Sequence, residues 1–137
     1  MFGTRPEAIK LAPVIAALPA SIGCQPIVCF SGQHRDLATA VVEYFQIAID
    51  HNLEVMRPGQ SLADLTSRCL TALDGLIAQL RPSCVIVQGD TPTALTGALA
   101  GFYRSVPIVH VEAGLRTGDM TRPFPEEFNR RATSLMA

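Results

Sequence analysis

Apolar positions along the chain recur with two different periods, and the two alternate. The stretch "PEAIKLAPVIAAL" carries the helical spacing, with Pro6 at a permitted first-turn position and Pro13 as an expected kink. "PIVCF" is a short apolar run ending at "SGQHRD", which predicts a strand and then a loop. Residues from about Leu37 to Phe45 read as helix, and "LEV" before "RPGQ" as a short strand. The strongest helical pattern runs from Ser61 to Leu80. Ser61 is a good N-cap with Asp64 three residues on, and Leu62, Leu65, Cys69, Leu73, Leu76 and Leu80 share one face. "CVIVQGD" is a continuous apolar strand of the kind that a parallel sheet covers on both faces. "TPTALTGALAGFY" predicts a helix of small residues, "PIVHVE" another strand, and "PEEFNRRATSLMA" a last helix opening near Pro125. Strand and helix alternate without hairpin signals, which predicts an α/β, Rossmann-like doubly wound parallel sheet.

Composition fits one such unit. The 137 residues are 48% apolar and 17% charged, enough to bury a core and too apolar for disorder. A net charge of −1 argues against a nucleic-acid binder working by bulk electrostatics. No apolar run approaches the roughly 20 residues of a membrane span, and the start has no signal-peptide pattern, so a cytoplasmic location away from membranes is expected. Cys24, Cys29, Cys69 and Cys84 form no Cys-x-x-Cys pair and read as buried free thiols of a reducing compartment.

Open parallel sheets bind ligands beyond the carboxyl ends of their strands. The polar clusters fall there: "SGQHRD", "GDTPT" and "EAGLRTGD" each follow a strand. Singly, each has a plain reading. Asp90 with Thr91 can be a helix cap, Glu126 and Glu127 first-turn charges, and His110 a packed strand residue. Their common edge favours a site. "FGTRPE" has the same strand-to-helix form with only Met1 before it, so a preceding strand is expected to be missing. No His-x-x-x-His or DxD cluster marks a metal, and no Gly-x-Gly-x-x-Gly marks a dinucleotide.

"FGTRPEAIKLAP", "GQHR", "QGDTPTAL", "HVEAGLRTGD" and "PFPEEFNR" together resemble the N-terminal domain of the non-hydrolysing UDP-N-acetylglucosamine 2-epimerases, from Phe2 to the last residue. The resemblance implies half of a two-domain GT-B-type fold, with residues 1–137 as the N-terminal domain and the UDP-binding C-terminal domain absent. It implies UDP-N-acetylglucosamine and UDP as ligands, no metal or nicotinamide cofactor, a homodimer when complete, and inactivity of this part alone. It also implies a reaction in which UDP leaves C1 as the C2 proton is lost, giving a 2-acetamidoglucal, and then adds back with a proton on the other face. Acid/base groups and cations suit such chemistry.

Carried over, the family's catalytic carboxylates match Asp90, Glu112 and Glu126. Arg5 matches an arginine near the diphosphate and Lys10 a further active-site cation, with Arg116 and Arg122 as secondary candidates. Gln33 and Glu127 match part of a regulatory UDP-sugar site. Asp36 and Gly59 depart from the pattern there, which weakens the case for substrate activation. A glycosyltransferase of the same fold, a hydrolysing epimerase and a non-enzymatic binding module remain as alternatives. The carboxylate trio favours the epimerase over the transferase.

Overall fold

The computed structural model describes residues 1–33 and 35–137, with the side chains of all of these except 19–22 and 35–37. Its elements run α1 (Arg5–Ile22), β1 (Cys29–Phe30), α2 (Arg35–Tyr44), β2 (His51–Asn52), α3 (Leu62–Leu80), β3 (Val85–Gln88), α4 (Pro92–Tyr103), β4 (Ile108–Val111) and α5 (Glu126–Met136). The described strands form two parallel pairs, β1 with β2 and β3 with β4. Residues 1–2 join the pairs. The Phe2 N–H donates to the Cys29 carbonyl, the Phe2 carbonyl accepts from the Ser31 N–H, and the Met1 ammonium donates to the Ile86 carbonyl. Phe2 is thus a single parallel bridge to Phe30.

Alternation along the strands explains why helices cover both faces. Val85 and Val87 enter one core with Leu73, Leu76 and Ile77 of α3 and Ala94 and Ala98 of α4. Ile86, between them, packs instead on the core formed by Phe2, Leu11 and Phe30. A doubly wound arrangement follows from that two-sided burial. The small residues of α4 let it lie close to the strands: a Cβ added at Gly101 would sit 2.4 Å from Ile108 Cδ1. Leu73 is fully buried at the centre, and its truncation to alanine is worth about 2–5 kcal/mol.

Several expected elements shift. α1 continues through Pro13 without a break, because the proline is exposed on a helix otherwise well supported by its buried face. β1 covers only the last two residues of "PIVCF", and β2 falls at His51–Asn52 rather than on "LEV". α3 follows its pattern, with Ser61 accepting from the Asp64 N–H, but Leu62 is exposed and Ile77 takes a place on the buried face. Cys29 and Cys69 are buried free thiols as expected, whereas Cys24 and Cys84 are exposed. Both exposed ones lie at the strand entrances, where the sheet edge meets solvent. No helix among the described residues is long and apolar enough to cross a membrane. An apolar cavity of about 270 Å³, lined by Leu11, Leu18, Ile27, Ile77 and Ile86, also lies toward those entrances. It is lined by none of the candidate site residues.

Candidate active site

Polar groups converge at the opposite edge. β3 ends at Gln88, Gly89 turns the chain in the left-handed region, and Thr91 caps α4 by accepting from the Ala94 N–H. Because Thr91 does the capping, the Asp90 carboxylate is left for other work. Its Oδ2 lies 2.5 Å from Arg130 Nη2, and its backbone carbonyl accepts from Asn129 Nδ2 at 2.8 Å. Both partners come from α5.

Glu112 follows β4 directly, with a φ of 62° that non-glycine residues rarely adopt. Its carboxylate forms an ion pair with Lys10 of α1, accepts from Gln88 Nε2 at 2.9 Å, and lies 3.7 Å from the same Arg130 nitrogen. Burial pushes the Asp90 carboxyl above its ordinary value; Arg130 opposes that, and Glu126 and Glu112 add to it. Glu126, at the first position of α5, is therefore within electrostatic reach of Asp90, and its buried Oε2 has no hydrogen-bond partner among the described residues. Three carboxylates and two cations thus meet where β3, β4 and the starts of α1 and α5 come together.

A second layer holds these loops. The buried Glu7 carboxylate accepts from the Gly3 and Thr4 N–H groups, from the Thr4 hydroxyl and from the Thr91 hydroxyl, which fixes the start of α1 against the start of α4. His110 Nε2 donates to the Gly89 carbonyl at 2.7 Å, so its Nδ1 accepts from the Ser134 hydroxyl. Among the described residues no group of three or more His, Cys, Asp and Glu is arranged to hold a metal ion.

Residues 16–137 match the family model described as UDP-N-acetylglucosamine 2-epimerase. The chain belongs to the UDP-N-acetylglucosamine 2-epimerase family. It is 47% identical over 137 residues to the UDP-N-acetylglucosamine 2-epimerase of Yersinia pestis, covering all of this chain and 36% of that protein. A putative UDP-N-acetylglucosamine 2-epimerase of Thermotoga maritima is 48% identical with the same coverage. Among solved structures, the UDP-GlcNAc 2-epimerase from Neisseria meningitidis bound to UDP-GlcNAc superposes with a TM-score of 0.91 at 44% identity, over 99% of this chain and 37% of that one. The Methanocaldococcus jannaschii enzyme in complex with UDP-GlcNAc and UDP gives 0.91 at 32% identity, over 99% and 37%. The chain spans about 36% of the length of the curated relatives it matches. The structural neighbours and the parallel strands make the fold the N-terminal Rossmann-like half of the GT-B-type epimerases.

Against this epimerase frame the expected residues separate. Asp90, Glu112, Glu126 and Lys10 come together. Arg5 lies exposed at the first residue of α1, within the same strand-to-helix loop. Arg116 is exposed and donates to the Ser134 hydroxyl, which bonds His110, and its charge also favours the ionised Glu127 carboxylate. The Arg122 side chain is exposed, and its carbonyl accepts from the Thr117 hydroxyl. Gln33 and Glu127 are buried in internal networks. Gln33 Oε1 accepts from the Thr93 hydroxyl, and Glu127 accepts from the Thr117 and Gly118 N–H groups, which hold its carboxyl below the ordinary range. His34 and the side chains of Arg35 and Asp36 lie outside the described residues.

Arg130, Gln88 and Glu7 were not among the expected site residues. Arg130 carries a signal in hindsight: it stands four residues after Glu126, one helical turn along the same face. Gln88 gives no such signal, since a lone polar residue at a strand end reads as solvent-facing, whereas Glu7 stands three residues after Thr4 in the spacing of a helix capping box.

Proposed function

We propose that this chain forms one wall of the active site of a non-hydrolysing UDP-N-acetylglucosamine 2-epimerase, an isomerase that interconverts UDP-N-acetylglucosamine and UDP-N-acetylmannosamine. The observation that carries the reading is the pairing of Asp90 and Glu112 about Arg130, with Lys10 and Glu126 at the same strand ends. The C2 proton of the sugar has no adjacent carbonyl to acidify it. A carboxylate removes it only if the C–H electron pair becomes the C1=C2 bond while the C1–O pair departs with UDP. Re-addition reverses the flow: UDP oxygen bonds to C1, and a carboxylic acid returns a proton to C2 from the opposite face. No electron is gained or lost overall. A set of carboxylates in one place suits base and acid duties on two faces of a ring. Arg5, at a helix start, suits the diphosphate, since free N–H groups and the guanidinium attract the same anion.

The relatives extend well beyond this span, and the family resemblance assigns the remaining nucleotide contacts to a C-terminal domain, so the 137 residues by themselves are expected to leave the sugar in water and to turn nothing over. The test joins the chain to the C-terminal portion of a relative and incubates it with UDP-N-acetylglucosamine in D2O. Deuterium entering C2, with UDP-N-acetylmannosamine appearing, supports the epimerase. Release of free N-acetylmannosamine would mark a hydrolysing enzyme, and an unexchanged C2 proton would overturn the reading.

A further inference from the structure

The guanidinium of Arg130 is 4% exposed and reaches two strand ends at once. Nη2 lies 2.5 Å from Asp90 Oδ2 after β3 and 3.7 Å from Glu112 Oε1 after β4, while Nη1 donates to the Leu115 carbonyl at 3.0 Å. Its Nε is buried with no hydrogen-bond partner among the described residues. A side chain held only for stability would be expected to use that donor, since a buried unpaired N–H costs about 1–3 kcal/mol. Asn129, its neighbour on α5, holds the Asp90 backbone, so the two residues fix both the loop and its carboxylate.

Nearby carboxylates disfavour ionisation of Asp90, and an adjacent cation opposes them. Lys10 stands beside Glu112 but is well exposed, so solvent screens it. Arginine in a protein does not lose its proton. We infer that Arg130 is a positioning residue that ties the Asp90 loop to the Glu112 loop and whose buried charge offsets the carboxylates gathered around Asp90. This rests on the epimerase reading above for its use in catalysis, though not for its electrostatics. The groups facing Asp90 are Lys10 from α1, Glu112 and His110 from β4 and its exit, and Glu126 and Arg130 from α5. Among them Arg130 alone is both buried and permanently charged.

The test uses the 137-residue chain and carbon-13 NMR of labelled carboxylates. Replacing Arg130→Gln should move the Asp90 midpoint upward by about one pH unit or more, the span expected when an adjacent opposite charge is removed. Arg130→Lys, which keeps the charge, should hold it within about half a unit of the unaltered protein. In the unaltered protein the Arg130 Nη nitrogen signals should follow the Asp90 titration, a readout that needs no variant to fold. Flat Nη signals, or an Asp90 midpoint that ignores Arg130→Gln, would overturn the inference. In the joined two-domain protein, Arg130→Lys should lower kcat about tenfold with KM nearly unchanged and shift the acid limb of the rate profile. Absence of turnover in the unaltered joined protein sinks the epimerase reading and leaves the titration result standing.

Discussion

The Thr91 hydroxyl donates to Glu7 Oε1 at 2.7 Å, a contact spanning 84 residues of sequence that locks the start of α1 to the start of α4. Glu7 is 1% exposed and has four donors, so burial opposes its charge while the hydrogen bonds favour it. Burial is the larger influence and raises its carboxyl above the ordinary value of 4.5. A raised value means that the folded state holds the proton more tightly. The contribution to stability is then full below about pH 4.5 and is lost as pH rises through the folded value. Glu7→Gln keeps an acceptor for the Gly3 and Thr4 donors and removes the charge. Its melting temperature should therefore gain on that of the unaltered chain between pH 4 and pH 7. Glu7→Ala strands all four donors and should cost about 3 kcal/mol or more at any pH in a denaturant titration. A Gln variant whose difference is flat with pH would show that Glu7 does not titrate this way.

How much of this was legible follows from what each residue does. The α3 pattern was readable because Ser61, Asp64 and the leucine spacing all act within one helix. The loops that hold Asp90 and Glu112 were readable as a ligand edge because strand exits in a parallel sheet gather ligands, while the choice of Asp90, Glu112 and Glu126 rested on the family resemblance. Arg130 was not readable, and Glu7 was readable only as the capping-box partner of Thr4. A charged residue on an amphipathic helix reads as solvent-facing, and only the tertiary packing of α5 and α1 against the loops turns these two inward. Gln33 and Glu127, which the family resemblance places in a regulatory region, also have buried partners at Thr93, Thr117 and Gly118 that the sequence does not show. Pairings this distant in sequence leave no trace in local periodicity. β1 is shorter and β2 earlier than expected, yet the Leu53 and Val55 N–H groups of "LEV" still donate to the Phe30 and Ser31 carbonyls.

His110 should give the chain an acid-sensitive loop. Burial lowers its value below the ordinary 6.5, and Arg116 and Arg130 act in the same direction, against the Gly89 contact and Asp90. The folded state thus prefers the neutral ring. Its stabilising effect is present above about pH 6.5 and is lost as pH falls through the lowered folded value. Protonation also places a hydrogen on Nδ1, where the ring now accepts from Ser134. Thermal melts should show the unaltered chain losing more stability than His110→Gln between pH 7 and pH 5. At pH 7.5 the variant should be weaker by about 1–2 kcal/mol, because glutamine cannot bridge Gly89 and Ser134 as the ring does. Parallel curves for the two proteins would remove His110 from the acid response.

Asp90→Asn, Glu112→Gln and Glu126→Gln should each lower turnover in the joined two-domain protein by about two or more orders of magnitude. Their folds should persist. Asparagine still meets Arg130 with an oxygen, and glutamine at 112 still offers an acceptor to Gln88 Nε2. Circular dichroism separates the two effects. Turnover near that of the unaltered protein in all three, with folds intact, would sink the site assignment; a mild loss at one would make that residue a positioning group.

Glu112 offers a test that separates function from stability at a single position. Its φ of 62° lies where an L side chain is strained and glycine is not. The carboxylate is therefore held by the strand end in a conformation that its own Cβ resists, as residues at functional sites often are. Replacing Glu112 by alanine or by glycine removes the same contacts to Lys10, Gln88 and Arg130. The two variants differ only in backbone preference. At most positions in helices and strands alanine is the more stable by about 0.5–1 kcal/mol. Here the order should reverse, with Glu112→Gly more stable than Glu112→Ala by about 1 kcal/mol in denaturant titrations. Both should lack turnover in the joined protein. If alanine proves the more stable, residue 112 does not occupy the left-handed region in solution, and the geometry that aims its carboxylate at Arg130 would have to be abandoned with it.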